Sequence, residues 1–255
     1  MIVHWLIYLV GGLIAGGINA VAGGGSLLLF PLLVGLGLPA ITANTTMSMI
    51  VQPGTMVAAF EYRKHLRKLS LHYYFLLLPC LVGSLIGAIA LVRMPNKSFE
   101  HIAPIFMIMA VILLALQPLI HKSLYKGKTL KKHHLALIIL VALSFLIISI
   151  YGGYFGAGFG IIVLGLLGLT PLKDIQQMNG LKNLAGLAIG IVDCSYFIAH
   201  HLIDWRILPL FMIGTLVGGY YSAKYGSRLP ETKLRIVIII SAALVTTYLT
   251  YKFYT

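Results

Sequence analysis

Apolar residues follow one another along this chain in long stretches that only short polar gaps interrupt. Most stretches hold about 20 residues, the length that a helix needs to cross a hydrocarbon core about 30 Å thick. Because lipid cannot satisfy backbone N–H and C=O groups, segments of this kind must be helical. The pattern therefore predicts an all-α, polytopic integral membrane protein. The apolar stretches are 2–38, 42–60, 71–92, 102–120, 135–169, 175–199, 207–223 and 236–251.

Landmark residues of the first half recur in the second half at a nearly constant spacing. Gly24 matches Gly156 and Pro39 matches Pro171, and both pairs are 132 positions apart. Further matches join Gly83 and Gly87 to Gly214 and Gly218, and Pro95 to Pro230. The spacing predicts an internal repeat. It divides the chain into a first membrane repeat at 1–120, a basic cytoplasmic linker at 121–134 and a second membrane repeat at 135–255.

Each repeat begins with an apolar stretch of 35 residues that glycines interrupt, at 3–37 and at 135–169. One straight helix of that length would measure about 52 Å, which is too long for one crossing, and two full crossings would need about 40 residues. Each stretch is therefore either one broken crossing with an overhang or a compact hairpin.

The distribution of Lys and Arg favours the hairpin. With single crossings the basic loops fall on both sides of the membrane. With hairpins, Lys173 and the basic cluster at 224–235 join the loop at 63–68 and the linker on one side, as the positive-inside rule requires. Each half then has an odd number of segments, so the halves are expected to have opposite orientations, a construction common in secondary transporters.

Composition and charge agree with a membrane protein. Hydrophobic residues make up 59% of the chain and charged residues 10%, which nearly excludes a soluble domain. The net charge of +13 comes from clusters between apolar stretches, so we expect cytoplasmic loops that meet anionic headgroups of the bilayer. No polar basic domain is present that could bind nucleic acid. The sequence is compatible with a homo-oligomer.

The strongest local feature is a pair of glycine-rich breaks. The first contains Asn19, Gly24, Gly25 and Ser26, and the second contains Gly156 and Gly158. Glycines let the backbone bend and expose N–H groups, and the helix that follows directs its positive N-terminal dipole at the bend. Two such breaks meeting near the membrane midplane would form an anion site from backbone amides. The alternative is close helix packing through small residues.

After each hairpin comes a helix that is polar near its start. Polar side chains in hydrocarbon need partners or a cavity, so we expect these residues to share one cavity with the glycine breaks. They are Asn44, Thr45 and Thr46 in the first half and Asn179, Lys182 and Asn183 in the second half. Lys182 is either a counter-charge for an anion or an anchor that snorkels to the interface. Asp193 follows eleven residues later, about 16 Å along the helix, and favours an interfacial cap over a proton relay.

Other chemistry finds little support in the sequence. The pairs His133-His134 and His200-His201 lack companion ligands, so no metal site is expected. No P-loop or nucleophile motif is present, so we expect no cofactor and no enzymatic activity. Cys80 and Cys194 lie in apolar segments and are expected to be packing residues.

The first break, with the sequence Gly-Gly-Ile-Asn-Ala-Val-Ala-Gly-Gly-Gly-Ser, together with the following Leu-Phe-Pro, Gly-Leu-Pro and Ala-Asn-Thr-Thr, resembles the signature of the TauE/SafE sulfite exporter family. The second glycine motif and the Gly-x-x-x-Gly at Gly214 and Gly218 resemble the same family, and the likeness covers nearly the whole chain. Two departures, Asn44 in place of a small residue and Lys182 in a normally neutral helix, leave the substrate open.

The resemblance implies a transporter that moves a small sulfur-containing anion, such as sulfite or an organosulfonate, across the bacterial inner membrane by alternating access, coupled to protons. It also implies a substrate-binding role for Asn19, Gly24, Gly25, Ser26, Thr45, Thr46, Gly156, Gly158, Asn179 and Asn183. Asn44 and Lys182 join this set from the polar helix starts. The alternatives are a passive anion channel or uniporter and, more remotely, an intramembrane enzyme.

Overall fold

The computed structural model describes residues 2–126, 135–172 and 174–225, together with residues 239, 240, 243, 246, 247 and 251. Within these ranges the chain forms helices joined by short connections, and no strand occurs. The predicted all-α class is confirmed. The linker at 127–134, Lys173 and most of the predicted last helix lie outside the described residues.

The described helices follow the apolar stretches of the sequence. They are α1 (Ile2–Ala22), α2 (Ser26–Gly35), α3 (Ala40–Glu61), α4 (Arg63–Leu66), a 3₁₀ helix (Leu71–Leu76) that leads into α5 (Leu77–Val92), α6 (Asn96–Lys126), α7 (Leu135–Tyr154), α8 (Phe159–Leu167), α9 (Ile175–Ala199) and α10 (Leu208–Tyr225). Helix α6 continues past residue 120 into the first part of the predicted linker.

Three helical segments of the described chain are long and apolar enough to cross a membrane. They are His4–Ala22, Leu71–Val92 and Ile175–Ala199, and shorter apolar helices occupy Ser26–Gly35 and Ile139–Tyr154. Many large apolar side chains of these helices are exposed, among them Trp5 at 57% and Ile191 at 68%. Exposed apolar faces on helices of this length are typical of proteins whose surface contacts the lipid bilayer.

The two halves of the chain are interlocked. Helices α1 and α3 of the first half pack on α10 of the second half. Correspondingly, α7 and α9 of the second half pack on α5 of the first half. Neither half therefore packs as a separate domain.

Glycines form these contacts between the halves. A Cβ atom built on Gly83 of α5 would lie 2.5 Å from the Leu146 carbonyl oxygen of α7. At the matching α1–α10 contact, Gly214 and Gly218 lie against the backbone at Leu9 and Leu13. Close backbone approach through small residues is typical of membrane helix pairs. These glycines are therefore packing residues.

The contacts also give the directions of the helices. Thr215 of α10 donates a hydrogen bond to the Ile50 oxygen of α3 (2.7 Å), and Gly219 lies one turn further along against Gly54, so α3 and α10 run parallel. Helix α1 also runs parallel to α10, because Gly12 faces Phe211 and Gly16 faces Thr215. Since α1 and α3 run the same way, α2 must make the return between them. The first broken stretch is a hairpin.

Helices α3 and α9, which hold the same place in the two halves, cross in opposite directions. Gly190 faces Gln52, whereas the earlier Gly186 faces the later Thr55, whose methyl carbon would lie 3.3 Å from a Cβ on Gly186. At the same end, His65 Nδ1 lies 3.3 Å from Asp174 Oδ2. The connection after α3, with its basic residues, and the start of α9 therefore lie on one side of the protein.

Candidate functional site

Both broken stretches bend at glycines with left-handed backbone angles. Helix α1 ends at Ala22 and is followed by Gly23, with φ of 76°. Between α7 and α8, Gly156 has φ of 71° and Gly158 has φ of 77°. Residues with a side chain rarely adopt such backbone angles, which explains why glycine occupies these positions. The returning helices α2 and α8 have 10 and 9 residues, about 15 Å each, which is half the length that a 30 Å core requires.

The two breaks meet each other directly. A Cβ atom built on Gly23 would lie 2.6 Å from the Gly160 Cα atom. Ser26 of the first break accepts a hydrogen bond from the Gly158 N–H (3.0 Å) and donates one to the Gly156 carbonyl (3.5 Å). The Phe30 ring packs edge-on against the Phe155 ring at 5.2 Å. Both hydrogen bonds and aromatic packing therefore hold the breaks together.

A cavity of about 60 Å³ lies beside this contact. Since about 10–15 Å³ in this measure holds one water molecule, the cavity has room for a few waters or a small anion. Its walls come from both breaks and from the crossing of α3 and α9. The lining residues are Asn19, Ser26, Met47, Ser48, Val51, Gln52, Thr55, Gly152, Gly156, Phe159, Gly160, Lys182, Asn183, Gly186, Ile189 and Asp193.

Lys182 is the cation of this cavity. Its side chain is only 2% exposed, and its Nζ donates hydrogen bonds to the carbonyls of Asn19 (2.9 Å) and Ala20 (3.0 Å). These carbonyls lie in the last turn of α1, where the helix dipole favours a positive charge. The ammonium has three donors, so one remains for a ligand after these two contacts. A snorkelling anchor at the interface does not fit this burial.

Two asparagines surround the ammonium. Asn19 Nδ2 donates to the Thr55 hydroxyl (3.1 Å), and Asn183 Nδ2 lies 3.4 Å from the Ala20 carbonyl that also binds Lys182. Of the residues expected at the site, the structure brings these two together with Ser26, Gly156 and Lys182 around one cavity.

The polar start of α3 does not line the cavity. Asn44 Nδ2 donates to the Tyr154 carbonyl at the end of α7 (3.0 Å). The Thr45 hydroxyl donates to the Leu202 carbonyl (2.6 Å), and the Thr46 hydroxyl accepts from the backbone N–H of Asp204 (3.0 Å). In this conformation the two threonines hold the connection between α9 and α10 against α3, and Asn44 holds α3 against the second break.

Four other expected residues also lie outside the lining. Gly24 is buried within the first break, and a Cβ on Gly25 would overlap the Ala15 carbonyl oxygen, so Gly25 allows close packing on α1. The Gly158 N–H donates a hydrogen bond to the Ser26 hydroxyl. Asn179 is buried, and its Oδ1 lacks a hydrogen-bond partner among the described residues.

The backbone amides at the breaks are largely occupied by the protein itself. The Gly23 N–H bonds the Asn19 carbonyl (3.1 Å), the Gly156 N–H bonds the Tyr151 carbonyl (3.1 Å), and the Gly158 N–H bonds Ser26. The sequence suggested an anion site built from such amides that would not need a cation, with Lys182 as a counter-charge among the alternatives. In the structure these three donors are used within the protein, and the Lys182 ammonium lines the cavity.

Sequence reasoning missed Gln52 and Thr55 as lining residues of α3. Together with Ser48 they follow one another at spacings of four and three, which places them on one face of this helix. That spacing could have identified the face.

The position expected for Asp193 was wrong. An interfacial cap was favoured, yet this side chain is 2% exposed and lines the cavity. Its Oδ1 has no hydrogen-bond partner among the described residues. Helix α9 extends six residues beyond Asp193 and packs against both α3 and α5, so this position lies inside the protein and not at a helix end.

Comparison with known proteins identifies the family of this chain. Residues 8–249 match the family described as Sulfite exporter TauE/SafE. A "Probable membrane transporter protein" of Haemophilus influenzae is 27% identical over 250 residues, which cover 94% of this chain and 92% of the relative. A "Probable membrane transporter protein YdhB" of Bacillus subtilis is 25% identical over 166 residues, 64% of this chain and 65% of the relative. No solved structure matches the chain.

Proposed function

Because this chain belongs to the TauE/SafE sulfite exporter family and is a membrane transporter, we propose that it carries a small sulfur-containing anion, such as sulfite or an organosulfonate, by alternating access. It is a multi-pass protein of the inner membrane. The observation that carries the proposal is the buried Lys182 ammonium in a cavity between two broken helices.

The cavity offers an anion what its hydration shell offers in water. Charge-assisted hydrogen bonds from an ammonium are about twice as strong as neutral ones, and Lys182 retains a donor for this purpose. The Ser48 hydroxyl and the second N–H of the Gln52 amide lie on the facing wall and add neutral donors, whereas the Thr55 hydroxyl donates to the Val51 carbonyl (2.9 Å). Among the described residues that line the cavity, Lys182 alone is cationic. The bound solute is therefore a small anion with several oxygen acceptors.

The packing supports access from either side. The antiparallel crossing of α3 and α9, equivalent helices of the repeat, supports halves of opposite orientation. The cavity lies between two packed groups of helices, with α1, α3 and α10 in one group and α5, α7 and α9 in the other, so movement of one group against the other would change the side to which it opens. The lining hydroxyls and amides would move with their own helices, whereas the tie at Ser26 would hold the breaks in register.

The test replaces Lys182 by Met. Methionine is chosen because Met47 lies as far from the start of α3 as Lys182 lies from the start of α9. Loss of one charged hydrogen bond, about 1.5–3 kcal/mol, should raise the half-saturation concentration for sulfite about tenfold to a hundredfold. Counterflow of radiolabelled sulfite into proteoliposomes measures this concentration. Lys224→Met is the matched control, because Lys224 lies outside the cavity on the exposed end of α10.

Equal half-saturation for the wild type and Lys182→Met would contradict the assignment of the anion to this cavity. Flux in the wild type without saturation or counterflow would favour a passive channel instead. Saturable flux that never exceeds equilibrium with the electrochemical gradient of the anion would favour a uniporter.

A further inference from the structure

We propose that Asp193 takes up one proton whenever the cavity takes up its anion, so that anion and proton cross together without net charge. This inference rests on the transport function proposed above. Nothing in the comparisons assigns a role to this residue. The inference starts from the Asp193 side chain, which is only 2% exposed and lines the cavity. One of its carboxyl oxygens has no hydrogen-bond partner among the described residues.

The ionisable groups around Asp193 are few. Helix α9 packs against α3, α5, α7 and α8 and also against α1, α4 and the 3₁₀ helix. The last three elements carry ionisable side chains at His4 and Tyr8, at Arg63, Lys64 and His65, and at His72, Tyr73 and Tyr74, respectively. Helix α8 carries no ionisable side chain, α3 carries only Glu61 at its far end, and α5 carries only Cys80. The remaining groups on α7 and α9 are Tyr151, Tyr154, Lys182, Cys194 and Tyr196. On α3, α5, α7, α8 and α9, if Glu61 in the last turn of α3 is set aside, Asp193 is therefore the only carboxyl group and Lys182 the only amine.

Lys182 and Asp193 share the cavity without forming an ion pair. They are separated by eleven residues of one helix, or about 16 Å. In the empty cavity the ammonium favours the ionised form of Asp193, because no other charge of the lining opposes it. Burial without a full set of hydrogen bonds favours the neutral form. The carboxyl group is thus held between two opposing influences.

An anion bound at Lys182 removes the first influence. Its negative charge cancels the field of the ammonium at Asp193, so a proton from the adjoining water adds to the carboxylate. By reciprocity, protonation of Asp193 strengthens anion binding. Anion affinity should therefore fall as pH rises and Asp193 ionises.

The charge of the cavity stays constant through the cycle. Empty, it holds one positive Lys182 and one negative Asp193. Loaded, it holds Lys182, the bound monoanion and a neutral Asp193. Both states have zero net charge, so both can change the side to which they open without moving charge through the membrane potential. On release, the anion and the proton enter the water of the opposite compartment and Asp193 is again ionised.

Proteoliposomes supplied with radiolabelled methanesulfonate on the outside test this inference, because this anion stays ionised at neutral and mildly acidic pH. Sulfite replaces it if the wild type carries only sulfite. An inward proton gradient should drive accumulation of the anion by the wild type above its outside concentration. An imposed membrane potential should leave that accumulation unchanged.

Asp193→Asn should retain counterflow but lose accumulation driven by the proton gradient. Its empty cavity keeps the charge of Lys182, so net uptake should become sensitive to potential, by about fiftyfold in accumulation per 100 mV. Asp193→Glu should restore proton-driven uptake. Asp174→Asn is the matched control: it lies at the start of α9 outside the cavity lining, keeps a capping side chain and should behave as the wild type.

Proton-driven accumulation by Asp193→Asn equal to that of the wild type would overturn the inference, and so would a wild type whose accumulation follows the potential. If Asp193→Asn does not fold, the wild type decides alone: adding methanesulfonate to the protein in weakly buffered detergent should raise the pH, and an unchanged pH would overturn the inference. Absence of counterflow by the wild type with either anion would contradict the transport function itself.

Discussion

Helices α3 and α9 hold the same place in the two halves, and they line the cavity with different chemistry. Positions 135 residues apart face the cavity in both, since Met47, Ser48 and Val51 correspond to Lys182, Asn183 and Gly186. The α3 positions are neutral, whereas α9 supplies a cation. The carboxyl group of Asp193 also has a neutral counterpart, Ala58.

The comparison separates two roles of the repeat. The shared features are the glycine breaks, the exchange of helix partners between halves and the face that α3 and α9 turn to the cavity. They give the cavity its shape. The charges of the cavity lining belong to α9 alone. Under the proposed function, we therefore expect the second half to determine which solute the cavity prefers. A nearly symmetric frame can thus hold an asymmetric distribution of charge.

The largest effect is expected where the two halves touch. Gly23→Val should abolish transport, because a branched side chain is strained at φ of 76° and would meet the Gly160 backbone 2.6 Å away. Such strain costs about 1–3 kcal/mol, and the overlap adds to it. Sulfite counterflow in proteoliposomes measures transport, and elution as a single species in size-exclusion chromatography measures folding.

Gly35→Val serves as the control for Gly23→Val. Gly35 ends α2, and a Cβ there would meet nothing within 4 Å. Near-normal transport is expected. Wild-type transport by Gly23→Val would show that contact between the breaks is not required for the cavity to work.

A smaller effect is expected when the lysine is moved between equivalent positions. In the double variant Met47→Lys/Lys182→Met the cation returns to the same cavity from the opposite wall. We expect sulfite half-saturation to recover part of the tenfold or greater loss in Lys182→Met, to within about threefold of the wild type. The recovery is incomplete because the carbonyls of Asn19 and Ala20 hold the ammonium only at its native position.

Titration of sulfite counterflow in the wild type, the single variant and the double variant measures this recovery. No difference between Lys182→Met and the double variant would show that positions 47 and 182 are not interchangeable, and would break the comparison of α3 with α9.

Much of this architecture can be predicted from the sequence. Apolar stretch lengths identify the helices, and the glycine spacing identifies both breaks. Lys182 and Asn183 could be placed near the breaks because polar residues in a membrane helix need partners. The hairpin alternative could be preferred from the basic loops.

Other features depend on contacts between distant parts of the chain. Thr45 and Thr46 are as polar as Ser48, but the connection at Leu202 and Asp204 uses their hydrogen bonds. The burial of Asp193 depends on how helices from both halves pack around α9, and no local pattern contains that packing. The use of break amides within the protein likewise depends on how Ser26 reaches the opposite break.

The central claim is that a small anion binds at Lys182 between the two breaks. Selenite has the shape and charge pattern of sulfite, and its selenium can be located by anomalous scattering from crystals of the protein. The account predicts a selenium peak in the cavity, with selenite oxygen within hydrogen-bond distance of Lys182 Nζ. A peak confined to the basic connection at 62–70, with an empty cavity, would contradict it.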